Sequence, residues 1–348
     1  MADDTASWYI YQDKAKPVDD KVLESWLADA PPWRTPGLPW QDRADKVDRG
    51  PPAFPDGGPL RRRAERYITT NGARELNAVN IALRLRRPLL VEGAPGIGKS
   101  SLAYSIAWRL GLGIPLRWDI SSRTTLQDGL YEYDAVSHLQ ATRGSGRPSE
   151  RPDSAEPQSD RPESHLSLGE FITLGPFGTA LLPTRRPRVI LIDELDKASY
   201  DLPNDLLHVF EEGSFVIKEL VRLGGETWVL PCDHQGTQGG KKDRVKIIAG
   251  RVRTHHHPVV VITTNREREF PEAFRRRCVR LELQRPDDPT ILAELVKNWL
   301  GHQNVDELLA AYAEENTDVL LQALFLEDQG APRSAVQESL SRRTTRES

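Results

Sequence analysis

Residues 86–101 read RRPLLVEGAPGIGKSS. Within them, Gly93-Ala94-Pro95-Gly96-Ile97-Gly98-Lys99-Ser100 fits the pattern G-x-x-x-x-G-K-[ST]. The apolar run PLLVE before the pattern reads as a short buried strand. KSSLAYSIAWRL after it reads as a helix. A strand that enters a helix through such a loop is the context the pattern needs. Gly93, Gly96 and Gly98 let the backbone curl so that N–H groups face phosphate oxygens, and the helix N-terminus adds a favourable positive field. Ala94, Pro95, Ile97 and Ser101 complete the expected cradle. Lys99 is placed to reach the β- and γ-phosphates, and Ser100 to ligate Mg²⁺.

Two downstream segments extend this picture. In VILIDELDKAS (189–199) an apolar run passes directly into Asp193-Glu194. A buried strand ending in two adjacent carboxylates is unusual, because ionised groups are rarely buried unpaired. Successive strand side chains point to opposite faces. Asp193 can therefore face a metal while Glu194, at the tip, activates a water. In PVVVITTNREREFPEAFRRRC (258–278) a hydrophobic strand ends in Thr263-Thr264-Asn265, and a short helix then closes in Arg275-Arg276-Arg277. Asn265 is expected beside the γ-phosphate, and an outward arginine could complete the site of a neighbouring subunit. The bland reading of the three arginines is a solvated basic face or a nucleic-acid contact. A strand-like run over 114–121 lies between the loop and Asp193, and the guanine-reading motif Asn-Lys-x-Asp is missing from the sequence, which favours ATP.

The runs PLLVEG, GIPLRWDIS, RVILIDE, PVVVITTN and CVRLELQ alternate with helical or loop segments. Together they predict an α/β fold with a five-stranded parallel sheet covered on both faces. After Pro286 four helical stretches follow (PTILAELVKNWL, VDELLAAYAEEN, TDVLLQALFLED and PRSAVQESLSRR), so residues 286–348 are expected to form a small helical lid. Residues 64–285 form the nucleotide-binding domain. Within it the Pro- and Ser-rich stretch 143–165 reads as a disordered insert. Residues 213–253 read as two β-like runs around GTQGGKKDR. Residues 1–63 form a Pro- and Trp-rich arm, partly disordered, with one short helix in VDDKVLESWLADA. It is either mobile or docks its tryptophans on a neighbour.

The chain has 348 residues with 47 Lys and Arg against 51 Asp and Glu, a net charge of −4. No global basic field draws it to nucleic acid. Its two cysteines form neither a disulfide framework nor a Cys-x-x-Cys zinc site. His255-His256-His257 are consecutive and diverge in direction, so they are poorly arranged to chelate. MADDTASWYIYQDK lacks the character of a signal peptide, and no apolar run approaches a membrane span. The expected location is cytoplasmic.

Taken in order, GAPGIGKS, LIDELDKA, TTN, FPEAFRRRC and the late GAPR resemble the AAA+ ATPases, and more narrowly their MoxR-like branch, over residues 64–340. The resemblance implies ATP and Mg²⁺ bound between subunits of a homo-oligomeric ring, a hexamer. It implies Walker A at Lys99 and Ser100, Walker B at Asp193 and Glu194, and sensor 1 at Asn265. The arginine finger falls on Arg277, with Arg276 as alternative, and sensor 2 on Arg333. Family members usually read Gly-Ala-Ser-Pro-Arg where this chain has Gly330-Ala331-Pro332-Arg333. The family often contacts adenine near Tyr67, Ile68 and Asn71. SRTTLQDGLYEYDA and DLPNDLLHVFEEGSF are similar to actinobacterial MoxR-type proteins. These imply a protein client or a von Willebrand factor A-type partner, and a role in biological conflict. The rival readings are a nucleic-acid motor and an ATP-gated binding module with little turnover.

Overall fold

The computed structural model describes residues 8–13, 16–34, 40–48, 50–144, 167–233, 244–286, 288–300 and 317–340. Its strands, in chain order, are β1 (Leu89–Glu92), β2 (Leu116–Asp119), β3 (Tyr131–Tyr133), β4 (Ile172–Leu174), β5 (Val189–Asp193), β6 (Ser214–Val216), β7 (Glu226–Pro231), β8 (Val245–Ile248), β9 (Arg251–Arg253), β10 (Val259–Thr264) and β11 (Val279–Glu282). The helices used below are α1 (Asp20–Ala28), α2 (Pro59–Glu65), α3 (Gly72–Leu85), α4 (Lys99–Arg109), α5 (Leu202–Glu212), α6 (Glu272–Arg277), α7 (Pro289–Leu300), α8 (Thr317–Asp328) and α9 (Arg333–Leu340).

The central sheet is parallel throughout, in the order β11-β1-β10-β5-β2. Its middle strands are apolar and β-branched, and β1 and β5 are buried along their whole length. That is the pattern of a sheet covered on both faces. Alternation divides the side chains between two cores. Leu89, Val91, Val189, Leu191 and Val261 face α3 and α4, whereas Leu90, Ile190, Ile192, Val260 and Ile262 face Phe177, Phe210 and Phe274. The α/β fold expected from the five runs is the one observed.

A second sheet, β3-β4-β7-β8-β9-β6, covers the Phe177 side. The β7–β8 hairpin supplies the two runs expected within 213–253. The glycine-rich stretch between them, at 234–243, lies outside the described residues. The short strands β3 and β4 carried no clear signal in the sequence, yet they pair antiparallel. Of the expected insert, 145–165 also lies outside the described residues, and 143–144 end a helix that begins at Ala135.

The expected stretch PTILAELVKNWL forms α7, TDVLLQALFLED forms α8, and α9 lies within PRSAVQESLSRR. They share a small core of Leu292, Val296, Leu320, Ala323, Leu324 and Val336. The expected helix VDELLAAYAEEN lies outside the described residues. None of the described helices is long and apolar enough to cross a membrane.

The N-terminal segment, expected to be mobile or docked on a neighbour or partner, carries the expected short helix as α1. Its described residues run across the body that carries the central sheet and pack against it in cis. Ile10, Tyr11, Leu23 and Trp26 join the core formed with Val79, Leu83 and Ile106. Asn80 accepts the backbone N–H groups of Ile10 (2.7 Å) and Tyr11 (2.9 Å) and donates to the Tyr11 carbonyl (2.8 Å). Arg109 donates to the Tyr11 hydroxyl at 2.9 Å and pairs with Asp13 at 2.7 Å. The Trp26 indole donates to the Leu83 carbonyl at 3.2 Å, and the Arg86 guanidinium lies 3.8 Å from its ring centre. Ile114 N–H donates to the Pro52 carbonyl at 2.9 Å. Prolines make this stretch poor in regular structure, but its aromatic residues still bury surface one at a time.

Trp26 is 1% exposed and Trp33 is 74% exposed. Trp26→Ala is therefore expected to lower unfolding stability by about 3–5 kcal/mol. Trp33→Ala should stay within about 0.5 kcal/mol. Urea denaturation of the two variants side by side measures the difference.

Candidate functional site

The carboxyl ends of β1, β10 and β5 are neighbours in the sheet, and the residues that follow them meet in one place. After β1 the chain turns through Gly93–Gly98 into α4. Gly98 caps α4 at φ 92°, which a side chain would strain. A Cβ on Gly93 would lie 2.4 Å from Ile97 Cδ1 and 2.5 Å from the Leu283 carbonyl oxygen, so the turn admits no side chain there.

Lys99 Nζ donates to the carbonyls of Gly93 (2.8 Å) and Ala94 (2.7 Å) and to Asn265 Oδ1 (2.7 Å). Burial lowers its pKa, while the carboxylates of Asp196, Asp193 and Glu194 act in the other direction. Asp193 Oδ1 accepts from Ser100 Oγ (2.8 Å) and Thr263 Oγ1 (2.7 Å). Thr263 Oγ1 in turn accepts the Glu194 N–H at 2.9 Å. Glu194 adopts a left-handed conformation, φ 61°, which ends the extended backbone of the strand. Its carboxylate accepts from Lys197 Nζ (2.6 Å) and Asn265 Nδ2 (3.4 Å). The sequence thus names Lys99, Ser100, Asp193, Glu194 and Asn265 separately, and the fold brings them into one cluster.

The cluster lies at the base of a cleft of about 750 Å³ that is also lined by Pro95, Gly96, Ile97, Gly98 and Ser101. Leu295, Trp299, Asp318 and Phe325 of the C-terminal helices form part of its wall. Asp318 N–H donates to the Gly96 carbonyl at 3.2 Å, a direct link between α8 and the loop. Tyr67 and Ile68 line the cleft. The Asn71 side chain is instead engaged with the backbone of Gln284. Tyr67 donates to Glu75 Oε1 at 2.6 Å, and burial pushes the Glu75 carboxyl up to about 7.

A triphosphate and Mg²⁺ suit this donor set. The loop is free of side chains at Gly93 and leads into a helix N-terminus, an anion-binding arrangement. Ser100 and Asp193 supply hard oxygen ligands, and Mg²⁺ usually takes few protein ligands beside phosphate oxygens and water. Among the described residues no group of three or more His, Cys, Asp or Glu could hold a metal alone. Burial beside Arg34, Arg86 and Arg253 holds His257 down at about 4, and His256, also buried, is at about 3.

The remaining predicted residues sit elsewhere. Arg276 and Arg277 end α6, exposed and outside the cleft. Arg276 pairs with Glu272, and Arg277 with Glu211 at the end of α5. Arg34 braces the same end of α5, donating to the carbonyls of Phe210 (2.5 Å) and Glu211 (3.1 Å). Arg333 also lies outside the cleft residues, bonded to Glu327 at 3.2 Å.

Three residues in or beside the cleft escaped the sequence reading. Asp196 is 4% exposed and accepts the N–H groups of Asn265 (2.8 Å) and Glu267 (3.2 Å). Lys197 binds Glu194 as described. Arg117 lines the cleft and reaches Asp193 Oδ2 at 3.1 Å. The alternation in Leu116-Arg117-Trp118-Asp119 was its only signal.

No family model matches the chain, and no curated protein matches it. Among solved structures it is similar to RuvB of Thermotoga maritima. One point mutant gives a TM-score of 0.40 at 15% identity, over 76% of this chain and 67% of that one. A second gives 0.38 at 14%, over 76% and 65%. The structure titled as the Holliday junction branch migration motor gives 0.34 at 14%, over 73% and 60%. This chain thus spans about two thirds or less of those chains.

Asp196→Ala leaves two N–H groups without an acceptor, and each lost partner costs about 1–3 kcal/mol. The variant should melt at lower temperature and bind nucleotide less tightly, because Asn265 loses its backbone anchor. Thermal melts with and without nucleotide read both effects.

Proposed function

We propose that the chain is a Mg²⁺-dependent ATPase of the AAA+ type, of the MoxR-like branch, that works as a homo-oligomeric ring on a protein partner. The observation that carries this reading is the convergence of Lys99, Ser100, Asp193, Glu194 and Asn265 at one cleft, from three adjacent strand ends and the helix that follows. Lys99 leaves its loop carbonyls to meet the β- and γ-phosphates. Mg²⁺, held by Ser100 and Asp193, would neutralise charge on the phosphate oxygens and orient them. Glu194 accepts the proton of the attacking water, and Asn265 aligns that water. Tyr67 and Ile68 offer the base a wall near the C-terminal helices.

The outward position of Arg277, and of Arg276 beside it, suits donation to a neighbouring subunit's γ-phosphate. Arg333, paired with Glu327 outside the cleft, is the sensor 2 residue that the resemblance implies, and we keep that role as part of the same proposal. The hexameric ring, the von Willebrand factor A-type partner, the role in conflict and the cytoplasmic location rest on the sequence resemblance and composition. The domain limits at 63 and 285 and the lid role of the C-terminal helices belong to the same proposal. The net charge of −4 speaks against a nucleic-acid track.

ATP hydrolysis should rise faster than linearly with protein concentration as subunits assemble. Lys99→Ala should abolish binding. Glu194→Gln should bind ATP and lose roughly 10²-fold or more in turnover. Arg277→Ala should bind normally and lose about 10³-fold. Specific activity that is flat with concentration and indifferent to Arg277→Ala would remove the shared-site reading.

A further inference from the structure

Arg117 holds a position that no recognised motif accounts for. It lies on β2, the edge strand beside β5, with Asp119 opposite Asp193 in register. Leu116 and Trp118 point into the core, so alternation sends Arg117 and Asp119 outward. The guanidinium spans two carboxylates. Nε donates to Asp119 Oδ1 at 2.6 Å, and Nη2 lies 3.1 Å from Asp193 Oδ2. Ser100 and Thr263 already occupy Asp193 Oδ1. Arg117 therefore completes the partners of a carboxylate that is only 7% exposed. An unpaired carboxylate there would be costly.

The other arginines of the cleft are engaged differently. Arg63 donates to Ser101 Oγ at 2.8 Å and lies over the Tyr104 ring. Arg66 donates to the Trp299 carbonyl at 3.0 Å and lies over that residue's ring. Arg117 is the one in contact with the carboxylate suited to the metal.

We propose that Arg117 has two successive partners: Asp193 in the nucleotide-free protein, and the terminal phosphate of ATP once Mg²⁺ has entered. This assignment rests on the ATPase reading above. A divalent cation at Asp193 takes over the neutralisation and repels the guanidinium. The Asp119 tether keeps the displaced group in the cleft, where a planar fork of donors matches phosphate oxygens. Arg117 is then a catalytic residue supplied in cis, distinct from an arginine arriving from a neighbour.

The test reads two quantities that move in opposite directions. Mn²⁺, a paramagnetic substitute for Mg²⁺, is titrated into the full chain holding ADP, whose phosphates complete the oxygen ligands of the ion and offer Arg117 no terminal phosphate, and is followed by electron paramagnetic resonance. ATP turnover is measured separately. Arg117→Ala should bind Mn²⁺ several-fold more tightly, because the competing cation is gone. Its kcat should fall by about 10²-fold, the scale for one lost donor to a charged transition state. Arg117→Lys keeps the charge and loses the fork. It should leave Mn²⁺ affinity near that of the parent and still lose kcat. A salt bridge that merely supports the fold would weaken both quantities together. Unchanged or weaker Mn²⁺ binding in Arg117→Ala overturns the proposal, and so does turnover within twofold of the parent in Arg117→Lys. Lys99→Ala separates the two levels. If it hydrolyses ATP normally, the ATPase reading falls; if it is inactive while the Arg117 variants behave as the parent, only the role of Arg117 falls.

Discussion

The parallel register of β1, β10 and β5 is the constraint on which the site depends. Glu92 pairs with Thr264, and Ile262 with Ile192, so three strands end at nearly one level of the sheet. The loop, the Thr-Thr-Asn turn and the paired carboxylates are thereby set side by side. A slip of one residue in any strand would exchange its two faces. Leu191 and Ile192 belong to opposite cores, so such a slip would bury the wrong residues throughout the layer. Packing on both faces thus fixes the position of the chemistry, and site and core are specified by the same alternation.

Hydrogen bonds then refine what the sheet sets coarsely. Glu194 in the cluster (φ 61°) and Arg266 beside it (φ 62°) take a left-handed conformation without being glycine. Such residues persist where their surroundings fix them. Thr263 holds the Glu194 N–H, Thr264 holds the Arg266 N–H at 3.0 Å, and the Arg266 guanidinium is bound by Glu92 and Glu282. Asp196 fixes the intervening Asn265. Two threonines and an aspartate thus shape both turns beside the cleft.

Much of this was legible because the signals were local. The loop, Asp193-Glu194 and Thr-Thr-Asn each follow a short apolar run, and five such runs imply the parallel sheet. What stayed hidden depends on partners distant in sequence. Arg117 reads as an ordinary exposed arginine until β2 is laid against β5. The pairing of Arg333 with Glu327 likewise joins two helices and shows only once they are packed. The docking of the N-terminal segment in cis was hidden for a related reason. Proline density suppresses helical and strand periodicity, which is the signal that composition-based reading uses. The contacts of Tyr11 and Trp26 with α3 and α4 follow no period.

The course of the N-terminal segment has a practical consequence. A fragment cut at residue 64, where the sequence pattern changes, would strip Ile10, Tyr11, Leu23 and Trp26 from Val79, Leu83 and Ile106. It would also leave Asn80 and Arg109 facing solvent beside bare apolar surface. Exposed patches of that kind stick to one another. Such a fragment would form clusters that grow with concentration and have nothing to do with nucleotide, and they would imitate the assembly of a ring. The apparent tail is therefore part of any specimen in which the oligomeric state of this protein can be interpreted.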